Sequence, residues 1–396
     1  MIDFILSAPI FLLAFVVVIS IVVVIHELGH YWVGRWCGVT IESFSIGFGP
    51  TLFAWTDKHD TVWRVAALPL GGYVKFLGDA DAASAPDAEA LATLKAKVSR
   101  ERGPDAVKGV FHFLPLWRRA AIVAAGPVAN FLLAIAIFAG IIMTAGVATT
   151  PAIVGTVLED SAAEEAGFLP NDEILAIDGR AVESFTDVAQ VVALRAGDPL
   201  RFEVLRDGET ITLNATPRRT QREDPIGGKM STGVLGIGQN MELNRERHGP
   251  VTAIAMGAGQ TWTVVATTGD YLGRIIRGKE PADMLGGPIR IATYSGKTAV
   301  DTLAIEADPL QKLQILVLRL ISLAGVVSVG LGLINLVPIP VLDGGHLLYY
   351  AYEAVAGRPL SERAQAFGFK VGLLLVASLM LFATWNDLIY LRGFFS

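Results

Sequence analysis

Cysteine is almost missing: Cys37 is the only one in 396 residues. An intramolecular disulfide is excluded, and so is a cysteine-based zinc cluster. Charge is scarce as well. Only 18% of residues are Asp, Glu, Lys or Arg, where a soluble domain averages about 25%. This shortage argues against a wholly soluble enzyme, and the 52% hydrophobic content excludes a disordered chain. A basic surplus is absent too. The net charge is -6, so nothing suggests a nucleic-acid partner. The N-terminal tail has no Lys or Arg, and no small-residue cleavage site follows its long apolar run. A cleaved signal peptide therefore fits poorly, and a retained membrane helix is expected.

What is present is a set of long charge-free runs. Between Asp3 and His26 lie 22 uncharged residues, enough at about 1.5 Å per residue to cross a hydrocarbon core of about 30 Å. A second run begins at Ala120 and its apolar part ends near Val147. A third covers Leu320–Leu342, and a fourth follows Lys370 to about Leu391, interrupted by Asp387. Pro250–Gly269 is equally uncharged but rich in Thr and Gly, and is read as an interfacial or packed helix. Arg102, Lys108, Arg118 and Arg119 precede the second span, and Arg358, Arg363 and Lys370 join the third to the fourth. The positive-inside rule then puts residues 36–119 and 353–370 in the cytoplasm, with both ends and 148–315 outside.

The expected fold is an α-helical polytopic membrane protein of four transmembrane helices, with a membrane-associated β-hairpin and one α+β domain. Residues 1–35 form the first span and 36–78 the hairpin region, where glycines punctuate β-branched and aromatic runs such as Thr61-Val62-Trp63-Arg64-Val65. Residues 79–116 are a cytoplasmic linker, flexible and partly helical, and 117–147 the second span. Residues 148–240 are globular, with a strand at Ile153–Val157, a helix capped by Ser161 and Glu164, a helix at Phe185–Leu194 and a hairpin around Asp207-Gly208. Residues 241–314 are an external or interfacial helical segment, 315–352 the third span and 353–396 the fourth.

The chemistry concentrates in His26-Glu27-Leu28-Gly29-His30. Two imidazoles at i and i+4 share one helix face and reach one metal ion, with Glu27 beside them as a base toward a metal-activated water. The pattern would arise by chance only about 0.005 times in a chain of this composition. It ends a membrane helix, where such side chains are costly without a function. A catalytic zinc takes three protein ligands and keeps one position open. The best third ligand is Asp343, in Leu336-Val337-Pro338-Ile339-Pro340-Val341-Leu342-Asp343-Gly344-Gly345, where prolines break the helix and glycines allow a sharp turn. The topology above carries His26, His30 and Asp343 to similar depth near the cytoplasmic side, provided that Pro250–Gly269 does not cross.

In these motifs the sequence resembles the intramembrane site-2 protease family, in its bacterial regulator-of-sigma-E protease branch. The resemblance runs over most of the chain: the His-Glu motif, Gly47-Phe48-Gly49-Pro50, Pro69-Leu70-Gly71-Gly72-Tyr73-Val74, Ala125-Gly126-Pro127-Val128-Ala129-Asn130, Gly286-Gly287-Pro288-Ile289 and the stretch from Asn335 through Asp343. It implies zinc held by His26, His30 and Asp343, with Glu27 as catalytic base. It implies cleavage of the membrane segment of a pre-cut single-pass protein of the anti-sigma factor class, and of remnant signal peptides. It also implies that roughly 44–77 pairs with unwound substrate. Gly71, Gly72, Tyr73, Asn335, Pro338 and Pro340 are the expected substrate-binding residues; Asn335 could equally make a hydrogen bond between helices. Asn130 is read as packing, with a direct role at the site as the alternative.

Residues 151–217, with Gly233-Val234-Leu235-Gly236-Ile237, resemble a PDZ domain, which takes a peptide in its groove or screens substrates by size. The best-known branch member has two PDZ domains in tandem; here there is room for one. The expected location is the bacterial inner membrane, with the PDZ-like domain and both termini periplasmic. A non-catalytic PDZ scaffold binding peptide tails is the alternative, and predicts no metal and no effect of Glu27→Gln. A zinc transporter would need more polar residues in the spans.

Overall fold

The computed structural model describes residues 2–78, 88–223, 229–240 and 244–395. Four helices among them are long and apolar enough to cross a bilayer. The contacts divide the chain into two units: 1–139, 254–266 and 287–385 in the first, and 140–253, 267–286 and 386–396 in the second.

Helix α1 (Ile2–Trp36) opens the chain. It ends one residue beyond the expected span of 1–35 and carries the His-Glu motif in its last third, six residues before its end. Tyr31, Val33 and Cys37 join a buried cluster with Val39, Ile41, Phe44, Phe76 and Phe111, so the last turns are held by protein contacts. Strands β1 (Ile41–Thr56) and β2 (Val62–Phe76) follow. The expected simple hairpin is folded back on itself. Residues 51–56 face 62–66, while 43–46 face 62–65 on one side and 72–75 on the other. Gly47 and Gly49, at φ of 90° and 87°, supply the bend in β1. A Cβ at Gly47 would lie 2.7 Å from the Leu68 carbonyl oxygen, so the bend also needs the missing side chain.

Helix α2 (Ala88–Arg102) occupies part of the expected linker and buries Leu94 and Val98 against Leu77 and Val110. The rest of that linker, 79–87, lies outside the described residues. Helix α3 (Leu116–Thr144) is the second span.

The second unit carries β3 (Val147–Thr149), β4 (Val154–Val157), α4 (Ala162–Glu165), β5 (Glu173–Ile177), β6 (Arg180–Ala181), α5 (Phe185–Leu194), β7 (Leu200–Arg206), β8 (Glu209–Ala215), β9 (Arg218–Glu223), β10 (Lys229–Val234), β11 (Ile237–Gln239) and β12 (Asn244–Glu246). One sheet has the order β6-β5-β7-β8, and β11 pairs with β4. Asp207-Gly208 makes the tight β7–β8 turn with both φ angles positive, the backbone that Asp-Gly favours. Phe168, Ile174, Val188, Phe202 and Val204 form the core. Ser161 caps α4 by accepting from the Glu164 N–H, but the Glu164 carboxylate accepts from Asp160 rather than from Ser161. The full reciprocal box forms instead between Ser184 and Asp187, at the start of α5.

Helix α6 (Pro250–Ile276) is not among the four apolar spans. Its Val264 and Val265 pack against Ala134, Phe138 and Val329, which makes it a packed helix. Helix α7 (Pro288–Ala304) follows. A Cβ on its Gly296 would lie 2.0 Å from the Phe11 ring of α1, so the two helices touch almost backbone to ring. Helix α8 (Pro309–Leu336) is the third span; Val18 and Val22 of α1 pack on its Ala324. The expected break after the third span occurs at Leu336, and α9 (Asp343–Ala356) starts at Asp343 itself. Helix α10 (Glu362–Phe395) contains the fourth span.

Candidate metal centre

The site is assembled on three helices of the first unit. α1 supplies His26 and His30 one turn apart. Gly29 lets α3 come close: a Cβ there would lie 2.3 Å from the Ala125 carbonyl oxygen. Gly126 leaves the space into which both imidazoles point, since a Cβ at that position would lie 2.3 Å from His30 Nε2 and 2.7 Å from His26 Cε1. Asp343 arrives as the first residue of α9, where the helix dipole favours a carboxylate. The loop that delivers it is too tight for side chains. A Cβ at Gly344 would lie 2.3 Å from the Leu336 carbonyl oxygen, and one at Gly345 2.2 Å from that of Ile339.

His26 Nε2 lies 3.3 Å from His30 Nε2 and 3.3 Å from Asp343 Oδ2, and His30 Nε2 lies 3.6 Å from the same oxygen. Three tetrahedral ligands about 2.0–2.1 Å from one ion stand about 3.3 Å apart. The donor atoms thus have the spacing that an ion of zinc's size requires. Asp343 Oδ2 is buried and makes no well-formed hydrogen bond, which is costly for a carboxylate oxygen unless a cation faces it. The far side of His30 is tied down: its Nδ1 lies 2.8 Å from the Ile122 carbonyl oxygen of α3. A carbonyl only accepts, so Nδ1 carries the hydrogen and the Nε2 lone pair faces Asp343 and His26. These residues fit a metal.

Glu27 is placed by the folded-back β2. It accepts a hydrogen bond from the Val74 N–H, and its Cγ lies beside Gly72, where an added Cβ would come within 3.1 Å. Gly71 lies against the Phe48 ring, on which Tyr73 stacks at 6.4 Å between centroids. The segment 71–73 therefore runs alongside the Glu27 side chain. Asn335 sits half-buried in the last turn of α8. Pro338 is exposed in the loop that follows, and Pro340 packs near Gly368 and Gly372 of α10.

Asn130 lies at the site, on the side of its alternative reading rather than of packing alone. It is fully buried, and its side-chain nitrogen is 3.1 Å from His26 Nδ1. The contact joins residues 104 apart in sequence. Only the short spacing of Asn130 from Gly126 and Pro127 pointed toward it.

Comparison with known proteins supplies the family. The profile of Peptidase family M50 matches residues 14–379. The chain belongs to peptidase family M50. Metalloprotease MmpA of Caulobacter vibrioides is 47% identical over 381 residues, covering 96% of this chain and 95% of that protein. A Rhizobium meliloti protein named "Putative zinc metalloprotease" is 46% identical over 382 residues, covering 96% of each chain. A Brucella suis protein with the same descriptive name is 39% identical over 380 residues, covering 95% of this chain and 94% of its own. This family member is a metalloprotease of membrane type, and four helices among its described residues are long and apolar enough to cross a bilayer.

Proposed function

We propose that this protein is a zinc-dependent intramembrane endoprotease. In this reading it cleaves the transmembrane segment of single-pass proteins already cut outside the membrane, with membrane-anchored anti-sigma factors as the substrate class and remnant signal peptides as a second one. The observation that carries the reading is the convergence of His26, His30 and Asp343 at tetrahedral spacing, with Glu27 adjacent in the same helix.

Each residue has a physical task. His26, His30 and Asp343 would hold zinc, which when bound would supply Lewis acidity toward the scissile carbonyl and toward water. Glu27 takes the proton of the attacking water and returns it to the leaving amine. A helical substrate hides its carbonyls in its own hydrogen bonds, so it must unwind to be cut. Residues 72–76 of β2 face β1 on one side and no other strand among the described residues. Gly71, Gly72 and Tyr73 thereby offer an edge to an unwound segment beside Glu27. Asn335, Pro338 and Pro340 frame the path between α8 and Asp343, with the Asn335 amide available to substrate backbone groups.

The second unit is read as one PDZ-like domain. The Leu235 carbonyl accepts from the Ala163 N–H, the Gly236 carbonyl accepts from the Leu158 N–H, and β11 pairs with β4 alone among the described residues. Its favoured task is to screen bulky substrates, and peptide addition to β11 is the second use. The enzyme sits in the bacterial inner membrane with this unit and both termini periplasmic and the metal centre near the cytoplasmic side. The test is cleavage of a model transmembrane substrate by purified wild type and Glu27→Gln. A fall of about 10²–10⁴-fold with zinc retained is expected; equal cleavage by both removes the proposal and favours a scaffold.

A further inference from the structure

The amide of Asn130 and the ring of His26 pose a proton-counting problem. Asn130 Nδ2 lies 3.1 Å from His26 Nδ1, while Asn130 Oδ1 is buried without a partner. In that orientation the amide donates to Nδ1, so a neutral ring must carry its hydrogen on Nε2. Yet Nε2 is the atom that faces His30 Nε2 and Asp343 Oδ2 at 3.3 Å, and a protonated Nε2 cannot bind a metal. Turning the amide by 180° exchanges two atoms of nearly equal size. Oδ1 then accepts from the Nδ1 hydrogen, and the Nε2 lone pair is free to face the other two donor atoms.

The neighbouring histidine already shows this arrangement. His30 Nδ1 is held by the Ile122 carbonyl at 2.8 Å, and Ile122 and Asn130 both belong to α3. The helix therefore addresses both rings from the side away from Asp343, with a backbone acceptor for one and a side-chain acceptor for the other. Asn130 is itself anchored: its own carbonyl accepts from the hydroxyl of Ser328 on α8 at 2.9 Å, and both residues are fully buried.

We propose that Asn130 is a positioning residue of the metal centre, which presents Oδ1 to His26 Nδ1–H and so holds His26 as the tautomer whose Nε2 binds the ion. The proposal rests on the metal-centre reading above. A buried amide that only filled space would be replaceable by a side chain of equal size. A positioning acceptor is replaceable only by another acceptor.

The test uses the full chain in detergent micelles, with wild type, Asn130→Asp and Asn130→Leu titrated with zinc in chelator-buffered solution. Circular dichroism and the melting midpoint of the metal-free proteins report folding. The leucine variant is expected to bind zinc about 10–100-fold more weakly, and the aspartate variant to stay near wild type. Equal zinc affinity in all three, or an aspartate variant as weak as leucine, overturns the proposal. Wild type that binds no zinc sinks the metal-centre reading itself, and the proposal with it. Nitrogen-15 spectra of histidine-labelled, zinc-loaded wild type give a reading that needs no variant. A protonated Nδ1 on His26 is expected, and zinc coordination through Nδ1 contradicts the proposal.

Discussion

Gly126 of α3 faces His30 of α1 so closely that a single methyl group at 126 would lie 2.3 Å from the imidazole Nε2. No real Cβ contact is that short, and the atom it would strike is one of three donor atoms that converge in the candidate metal centre. Gly126→Ala is expected to push both rings off their positions. Zinc affinity should fall, with an overpacking cost of about 1–3 kcal/mol. Zinc titration and the melting midpoint check this; a variant that binds zinc like wild type would show that the rings are not confined by α3.

The loop before α9 makes a related demand. Gly345 approaches the Ile339 carbonyl oxygen, with 2.2 Å left for a Cβ. Gly345→Ala should displace Asp343 while leaving His26 and His30 in place. The expected result is weakened zinc binding with helical content unchanged, measured by chelator competition and circular dichroism.

Asp57 closes the turn between β1 and β2. Its carboxylate accepts from Trp63 Nε1 at 3.0 Å, from the N–H groups of His59 and Thr61, and from the Tyr31 hydroxyl of α1. Burial pushes its pKa up, but these hydrogen bonds outweigh it and hold the group at about 2, below the ordinary value of about 3.9. The stabilisation is therefore complete above about pH 4 and fades as pH falls toward 2. Tryptophan fluorescence should change across that window in wild type and stay flat in Asp57→Asn, which should also melt lower at pH 7.

In the second unit Arg274 is 3% exposed and bonds both Asp198 and Glu280, and Glu280 also holds Arg219. The Arg274 guanidinium holds Asp198 below the usual carboxylate range. Glu280, pushed up by burial, is held low by both arginines. Arg274→Met strips a cation from two carboxylates and is expected to cost about 3–5 kcal/mol. The loss should be largest at neutral pH and shrink as the carboxylates protonate below about pH 4. Thermal melts at pH 7 and pH 4 measure it.

The sequence displayed the parts of the site that depend on local spacing. His26 and His30 declare themselves by the i, i+4 interval, the spans by uninterrupted apolar length, and the break before Asp343 by two prolines. What it concealed depends on tertiary contact. Asn130 meets His26 across 104 residues, through an antiparallel approach of α1 and α3 that no local pattern encodes. The fold-back of β2 beside Glu27 needs pairing on both sides of residues 43–46. Helix α7 falls inside the expected helical segment 241–314, but its packing depends on Gly296 lying against Phe11, a contact far apart in sequence.

In the proposed centre two imidazoles and one carboxylate hold a single zinc ion. Its most direct test is the zinc content of purified full-length protein, measured by elemental analysis for wild type and for His26→Ala, His30→Ala and Asp343→Ala. About one zinc per chain is predicted for wild type, with a large loss in each variant. Wild type without zinc, or variants that retain it in full, would contradict the account.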